Sequence, residues 1–173
     1  EQIGVSESFR YGIFQTISII TTTGFTITEL DNMGILLPVL IMLLAFVGAC
    51  SGSVGGGIKA WRINILIRLA FDNITKIMHP TAVSTIKFNG EKIEQKQIES
   101  VFSFVAIYVL IAILFLLALM LQDIDFYSAF SAVSATLNNL GPGLGEFSDN
   151  YSSLEPAGKI TLSLAMIIGR LEI

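Results

Sequence analysis

The sequence predicts an all-α integral membrane protein, and three observations support that fold class. Hydrophobic residues make up 53% of the chain and charged residues only 14%, whereas a soluble domain carries about 25% charged residues. Residues 32–58 and 100–122 contain no charged side chain, and each window exceeds the roughly 20 apolar residues that cross a bilayer core as a helix. Two shorter uncharged segments each end at a polar stretch that contains glycine, at residues 21–24 and 138–141.

The charges are distributed unevenly, and their distribution predicts an orientation in the membrane. Seven of the ten Lys and Arg residues lie between residues 59 and 96, while the other short loops are acidic. Because basic loops stay on the cytoplasmic side, we expect this middle stretch in the cytoplasm and the acidic ends outside. Cys50 is the one cysteine, so neither an internal disulfide nor a Cys/His metal site is predicted. A basic face studded with aromatic residues is missing, which argues against nucleic-acid binding.

The first part of the chain predicts one short and one long apolar helix. A half-length segment over residues 9–20, uncharged from Tyr11 onward, ends at Thr-Thr-Thr-Gly, and a full-length helix over about 34–50 runs into a glycine cluster. A basic stretch follows, in which His79 precedes Pro80. Since proline ends or kinks a helix, we expect a helix to stop there, and we assign no chemistry to His79.

The second part of the chain repeats this order. A full-length helix over about 98–121 precedes a half-length segment over 126–137, which ends at Asn-Asn-Leu-Gly. Pro156 then opens a last helix, because proline suits a first helical turn. An offset of 117 residues aligns the two half-length segments and places residues 21–25 on 138–142. Repeats in membrane proteins often build a pore or a substrate site at the axis between them.

The polar ends of the half-length segments need a physical reason. A helix of about 12 residues spans only about 18 Å, so each segment must enter the membrane and return. Non-helical backbone at that depth survives only where it is buried in protein or lines water, and a dehydrated cation is one partner for its carbonyl groups. The alternative is that each stretch is a helix C-cap closed by glycine. Two such stretches at matching places favour a cation pore.

Five glycines lie within ten residues at the end of the first long window, at positions 48, 52, 55, 56 and 57. We reject a nucleotide-binding loop, because no strand precedes the cluster and no acidic residue follows about 20 positions later. Two interpretations stay open. One is close helix packing through small residues spaced four apart. The other is a break in the helix, since each glycine costs about 1 kcal/mol of helix stability relative to alanine.

Five stretches of the chain resemble one known family. They are TTTGFT, GACSGSVGGGIKAWR, HPTAVSTIKFNG, SAFSAVSATLNNLGPGLGE and the closing GRLEI. They are similar to the Trk/Ktr/HKT superfamily of potassium transporters, most of all to its TrkH/TrkG-type bacterial membrane subunits, over essentially the whole chain. The resemblance implies a potassium-channel-like fold of four repeats, each with an outer helix, a re-entrant pore loop and an inner helix.

The same resemblance divides the chain into three parts. Residues 1–58 would hold the third-repeat pore loop and inner helix, 59–97 a cytoplasmic basic helix and linker, and 98–173 the fourth repeat up to the start of its inner helix. The chain begins without methionine and ends within an apolar helical pattern, so we expect an internal fragment, the C-terminal half of a longer protein. Two of four repeats cannot close a filter, so the fragment alone is not expected to conduct.

The resemblance also implies roles for single residues of the filter. The third filter strand would consist of Thr21, Thr22, Thr23 and Gly24, and the fourth of Asn138, Asn139, Leu140 and Gly141. K+ is expected at Thr22, Thr23, Asn139 and Leu140. Each strand keeps one glycine, where the TVGYG strand of potassium channels has two, so fewer or looser ion sites are expected.

A gate is implied beneath this filter. In the family the third inner helix is broken by a mobile, Gly-rich intramembrane loop, here Ser51, Gly52, Ser53, Gly55, Gly56 and Gly57. Arg170 lies about 20 Å along the last helix from Pro156, which is still within a bilayer core of about 30 Å. This arginine either snorkels to the interface or points into the pore and holds the gate loop shut.

The leading functional hypothesis is a pore-forming subunit of a potassium uptake system in the bacterial cytoplasmic (inner) membrane, which it crosses several times. K+ is the transported ion, and no cofactor is expected. Expected partners are the remaining N-terminal repeats, a cytoplasmic TrkA-type nucleotide-binding regulator, a second copy in a homodimer and membrane lipids. The helix after Lys59 either docks this regulator or lies on the membrane surface.

Two other functional classes are compatible with the same sequence pattern. The first alternative is a broken-helix secondary transporter for Na+ or another solute, and the second is a membrane scaffold without transport. An enzyme is not expected, because no Ser/His/Asp set, His/Glu metal set or pair of acids lies at membrane depth.

Overall fold

The computed structural model describes residues 4–27, 36–48, 50, 52, 55–79, 87–88, 91–148 and 150–171. Within them the chain forms α1 (Val5–Ile20), α2 (Leu36–Val47), α3 (Ala60–Met78), α4 (Gln95–Met120), α5 (Phe126–Leu137) and α6 (Pro156–Leu171). A 3-10 turn, Gly145–Phe147, lies between α5 and α6, and the two-residue strands β1 (Lys87–Phe88) and β2 (Glu91–Lys92) pair antiparallel. The described part is therefore helical apart from one short hairpin, in agreement with the predicted all-α class.

The start of α5 shows how the sequence sets a helix boundary. Asp125 has extended backbone, and its side chain accepts a hydrogen bond from the Ser128 N–H at 3.1 Å. This is the N-cap arrangement that aspartate favours. α5 occupies the predicted residues 126–137, and α6 begins at Pro156 as predicted. α4 begins at Gln95, slightly before the predicted start near residue 98.

The full-length helix predicted over about 34–50 is wrong at its C-terminal end. α2 stops at Val47 and has 12 residues, which span about 18 Å and fall short of a bilayer core of about 30 Å. Gly48 takes a φ of +66°, which ends the helix and which glycine adopts without steric cost. A Cβ at Gly48 would also meet the Gly56 carbonyl oxygen at 2.6 Å, so this turn requires glycine.

α4 is the membrane-spanning candidate of the described residues. It has 26 residues, and among the described helices it alone is both long and apolar enough to cross a membrane by length and composition. α2 and α5 are apolar but shorter. Leu110, Leu114 and Leu117 of α4 are exposed, and such an apolar outer face is suited to contact with lipid.

α5 is enclosed by its neighbours. Nine of its twelve residues are buried, most of them serine or alanine, and such small side chains let adjacent helices approach closely. The helix contacts α2, α4 and α6, and Leu119, Phe147 and Leu162 close the core around it. The position of its C-terminal end, and of the segment that follows, is therefore fixed from several sides.

A second core brings the ends of α1 and α5 together. Its buried members come from α1, α2 and the segment after α5, and they are Ile19, Ile41, Met42, Ala45, Leu140 and Leu144. Residues 21–24 follow the core residue Ile19 closely, and residues 138–141 contribute Leu140 to the core itself. α3 packs separately on the N-terminal part of α4, through Ile65, Ile98 and Val101.

Candidate functional site

The end of α1 has a defined hydrogen-bonding pattern. The Thr22 N–H donates to the Ile19 carbonyl at 3.0 Å, and the Thr23 N–H donates to the Ser18 carbonyl at 2.8 Å. These two bonds are the paired closing bonds of a Schellman motif, which satisfies the last carbonyl groups of a helix.

The end of α5 repeats the same pattern. The Asn139 N–H donates to the Thr136 carbonyl at 3.0 Å, and the Leu140 N–H donates to the Ala135 carbonyl at 2.7 Å. Every donor and acceptor lies 117 residues from its counterpart in α1. The offset proposed from the sequence thus relates two segments with the same backbone geometry.

The left-handed positions of the two motifs are held by residues other than glycine. Thr22 and Asn139 both have a φ of 54°, which asparagine tolerates but a β-branched residue rarely adopts. Gly24 and Gly141 come two residues later, with φ of 79° and 104°. The alternative in which glycine closes each helix is therefore wrong in that detail. A C-cap is present, but the glycines shape the strand that follows it.

The two predicted filter strands, residues 21–24 and 138–141, lie side by side at Gly24. A Cβ at this position would meet the Leu140 carbonyl oxygen, and it would lie 3.3 Å from the Pro142 ring. Ser18 Oγ donates to the Phe25 carbonyl at 2.7 Å and holds the first strand along α1. Around Gly141, by contrast, no atom of the described residues beyond its chain neighbours would lie within 4 Å of a Cβ, so glycine is favoured there by its φ of 104°.

Side chains that were not predicted from the sequence hold the predicted fourth filter strand, residues 138–141. The buried Tyr108 of α4 donates its hydroxyl to Asn138 Oδ1 at 2.6 Å, and Asn138 Nδ2 donates to the Ser134 carbonyl at 2.7 Å. Tyr151 donates to the Gly141 carbonyl at 3.1 Å, and burial raises the pKa of Tyr151 to about 12, so its hydroxyl stays protonated. No local pattern pairs these tyrosines with the strand, because their partners lie 30 and 10 residues away in the sequence.

Buried serines of α5 hold the outer turn that follows this strand. The Leu144 N–H donates to Ser131 Oγ at 2.8 Å, and the Glu146 N–H donates to Ser128 Oγ at 3.2 Å. At the start of the same helix, the hydrogen bonds from Ser128 hold the pKa of Asp125 below its usual range. Asp125 and Glu146 therefore place carboxylates on the predicted outer side.

The glycine cluster lies directly against the end of α5. A Cβ at Gly56 would meet the Asn138 carbonyl oxygen, and a Cβ at Gly169 of α6 would meet the Leu137 carbonyl oxygen. The loop returns to α2, where the Ile58 N–H donates to the Phe46 carbonyl at 2.9 Å. Two glycines from distant segments thus lie against the consecutive carbonyl groups of Leu137 and Asn138. A larger residue at either glycine would force the backbone to move.

The structure brings part of the predicted gate together. Gly56 lies against Asn138 of the predicted fourth filter strand. Gly57, with a φ of 89°, lies against Gly48. A Cβ at Gly52 would lie more than 4 Å from the described residues beyond its chain neighbours, and Ser51 and Ser53 lie outside the described residues. Arg170 is exposed and follows directly after Gly169, so its backbone lies beside the same end of α5.

A family model for TrkH, described as a cation transport protein, matches residues 1–173. The chain belongs to the TrkH family. It is 42% identical over 167 residues to the Trk system potassium uptake protein TrkH of Vibrio parahaemolyticus and 41% identical over 166 residues to TrkH of Escherichia coli, and each alignment covers 96% of the chain. The crystal structure of the potassium transporter TrkH from Vibrio parahaemolyticus superposes with a TM-score of 0.90 over 97% of the chain.

These comparisons confirm the predicted family and its helical fold. The TrkG potassium uptake protein of Escherichia coli is 32% identical over 166 residues. The chain spans about a third of the length of these relatives: 34% of the TrkH and TrkG proteins and 36% of the crystallised chain. The TrkH relatives are by name Trk system potassium uptake proteins.

Proposed function

We propose that this TrkH-family chain forms the third and fourth repeats of the pore of a potassium uptake protein. The observation that carries the proposal is the shared geometry of residues 21–24 and 138–141. Each strand follows a Schellman motif and contains a glycine with positive φ, and Gly24 lies against a carbonyl group of the other strand. The names of the relatives, Trk system potassium uptake proteins, support K+ as the ion.

Backbone carbonyl groups are the proposed ligands of the ion. They belong to Thr22, Thr23, Asn139 and Leu140, with Thr21 and Asn138 flanking and Gly24 and Gly141 ending the strands. Such carbonyl groups replace the water around a dehydrated K+ ion in potassium filters. α1 and α5 direct their C-terminal ends, which carry partial negative charge, toward the strands and so favour a cation.

The glycine loop between α2 and α3 is the proposed gate. Its residue Gly56 lies against the Asn138 carbonyl group, at the start of the proposed fourth filter strand. Gly52, Gly55 and Gly57 with Ser51 and Ser53 complete the loop in this proposal. Arg170 then adds a positive charge to the cation path and holds the loop in its closed position.

The proposed organisation follows from the same assignment. Residues 1–58 and 98–173 form the two pore repeats, and 59–97 lie on the cytoplasmic side, where a TrkA-type nucleotide-binding regulator docks. The whole protein supplies the first two repeats, crosses the bacterial inner membrane several times and forms a homodimer. The concentration of Lys and Arg between residues 59 and 96 supports this orientation.

Cation flux through the full-length protein in liposomes tests the proposal. We expect potassium and rubidium to pass in preference to sodium, without any added solute. Flux of Na+ that depends on a second solute would favour the broken-helix secondary transporter instead. A correctly inserted protein that passes no cation under any gradient would contradict the pore assignment.

A further inference from the structure

Tyr108 of α4 contacts the proposed fourth filter strand through one short hydrogen bond. Its hydroxyl donates to Asn138 Oδ1 at 2.6 Å, and both side chains are buried, Asn138 completely. The amide nitrogen of Asn138 donates to the Ser134 carbonyl at 2.7 Å. The two bonds use the oxygen and the nitrogen of one amide, so they fix the orientation of the side chain at the start of the strand.

The ring of Tyr108 also contacts the residue that closes the glycine loop. Phe46 packs edge-to-face on it, with ring centroids 6.2 Å apart and an interplanar angle of 87°. The Phe46 carbonyl accepts the Ile58 N–H at 2.9 Å, where the chain returns from the loop to α2. A movement of the loop that breaks this bond therefore acts on a direct neighbour of Tyr108.

A second path joins Ile58 to the same tyrosine. Phe104 stacks on Tyr108 with centroids 5.9 Å apart, and the Arg62 guanidinium carbon lies 3.9 Å from the centroid of the Phe104 ring. Arg62 Nη1 donates to the Ile58 carbonyl at 3.4 Å. The backbone of Ile58 is thus held at its N–H by Phe46 and at its carbonyl by Arg62, and both residues connect to Tyr108 through aromatic contacts.

The same group borders an apolar surface groove of about 290 Å³, which is lined by Phe46, Ile58, Tyr108 and Phe130 and also by the exposed Leu43 and Ile113. Within the described residues, one side of this group is therefore open rather than enclosed by a close-packed core.

We propose that Tyr108 couples the position of the glycine loop to the geometry of the fourth filter strand. The inference rests on the proposed filter and gate and names the residue that connects them. With the loop closed, the Phe46 and Phe104 contacts hold the tyrosine ring so that its hydroxyl reaches Asn138. When Phe46 and Ile58 move apart, the ring loses a neighbour and the strand loses a hydrogen bond. Coupling of this kind is reciprocal, so a loosened strand also favours an open loop.

The test uses Tyr108→Phe in the full-length protein and two readouts. The first is the ratio of potassium to sodium flux in liposomes. The second is the rate at which maleimide modifies Cys50, which is a free and exposed thiol next to the loop, with Cys50→Ser as the blank. We expect the flux ratio to fall and the modification rate of the already exposed Cys50 to differ from wild type, each by about 2- to 10-fold, the range expected for the loss of one buried hydrogen bond.

Tyr11→Phe is the matched control, since Tyr11 lies on α1 and its ring contacts Arg10; both readouts should keep their wild-type values. Phe46→Leu, which removes the ring contact from the loop side, should change both readouts in the direction of Tyr108→Phe. A lower flux ratio with an unchanged Cys50 modification rate would show that Tyr108 stabilises the filter strand without affecting the glycine loop. That result would overturn the inference. Unchanged values of both would also overturn it. A wild-type protein without potassium-selective flux would instead refute the proposed function.

Discussion

Asp125 shows at the residue scale how one side chain sets the position of a half-length helix. It accepts the Ser128 N–H and caps α5, and these bonds hold its pKa below the usual range. Because folding lowers the pKa, the contribution to stability is complete above the pKa of the unfolded chain. It is lost as the pH falls through the lower pKa of the folded state.

Replacement of Asp125 by alanine should therefore lower the free energy of unfolding by about 1 kcal/mol at neutral pH, as for other N-caps. Asp125→Asn keeps an acceptor oxygen and should stay close to wild type. Thermal unfolding of the full-length protein in detergent measures both. The difference between wild type and Asp125→Ala should shrink in acid, and equal stability at neutral pH would show that the cap contributes nothing.

Arg170 is the charged residue closest in sequence to the contact between Gly169 and the end of α5. If it holds the gate loop closed, Arg170→Ala should raise potassium flux per inserted molecule. Arg170→Lys should be intermediate, because lysine keeps the charge but loses the planar set of donors. If the arginine only snorkels to the interface, expression or stability would change while flux per molecule stays at the wild-type value.

At the scale of the element, the break between α2 and α3 depends on tertiary contacts. Val47 is the last helical residue, Gly48 turns the chain with positive φ, and Gly56 returns against Asn138. Gly48 and Gly56 permit close approach of backbone segments, but they lie after the end of α2, so helix packing through glycines spaced four apart does not describe them. A break within one inner helix stays a prediction.

The glycine loop provides its own matched pair of variants. A Cβ at Gly56 would meet the Asn138 carbonyl oxygen, whereas one at Gly52 would meet none of the described residues beyond its chain neighbours within 4 Å. We expect Gly56→Ala to displace the loop and to raise potassium flux, and Gly52→Ala to leave flux near wild type. Flux that collapses in Gly56→Ala, in protein that still assembles, would favour a packing role over a gating role.

The elements differ in how far the sequence determines them. The bounds of α5 follow from a local cap at Asp125 and from the polar residues after Leu137, so they were predictable. The end of α2 was not, because an apolar run continues past Val47 and the turn depends on the return of residues 56–58. The contacts of Tyr108 and Tyr151 with the strand were also missed, since long-range hydrogen bonds leave no periodic pattern.

At the scale of the whole molecule, the repeat is the feature that the sequence and the structure share most closely. Identity between residues 21–25 and 138–142 is weak, yet the two segments have the same hydrogen bonds and the same signs of φ. The candidate filter residues could be named because the resemblance covers both polar segments, residues 21–24 and 138–141. The left-handed backbone of Thr22 was not predictable, since a β-branched residue rarely adopts that conformation.

The ratio of potassium to sodium flux in Gly24→Ser, measured in the full-length protein in liposomes, tests the filter assignment most directly. Serine at this position disfavours the φ of 79° and directs a Cβ at the Leu140 carbonyl oxygen, so it disturbs both strands at once. Gly12→Ser is the control, because Gly12 lies in α1 with open space around it. We predict a clear loss of potassium preference in Gly24→Ser, a similar loss in Gly141→Ser and a wild-type ratio in Gly12→Ser. An unchanged ratio in both Gly24→Ser and Gly141→Ser would contradict the assignment of these strands to the filter.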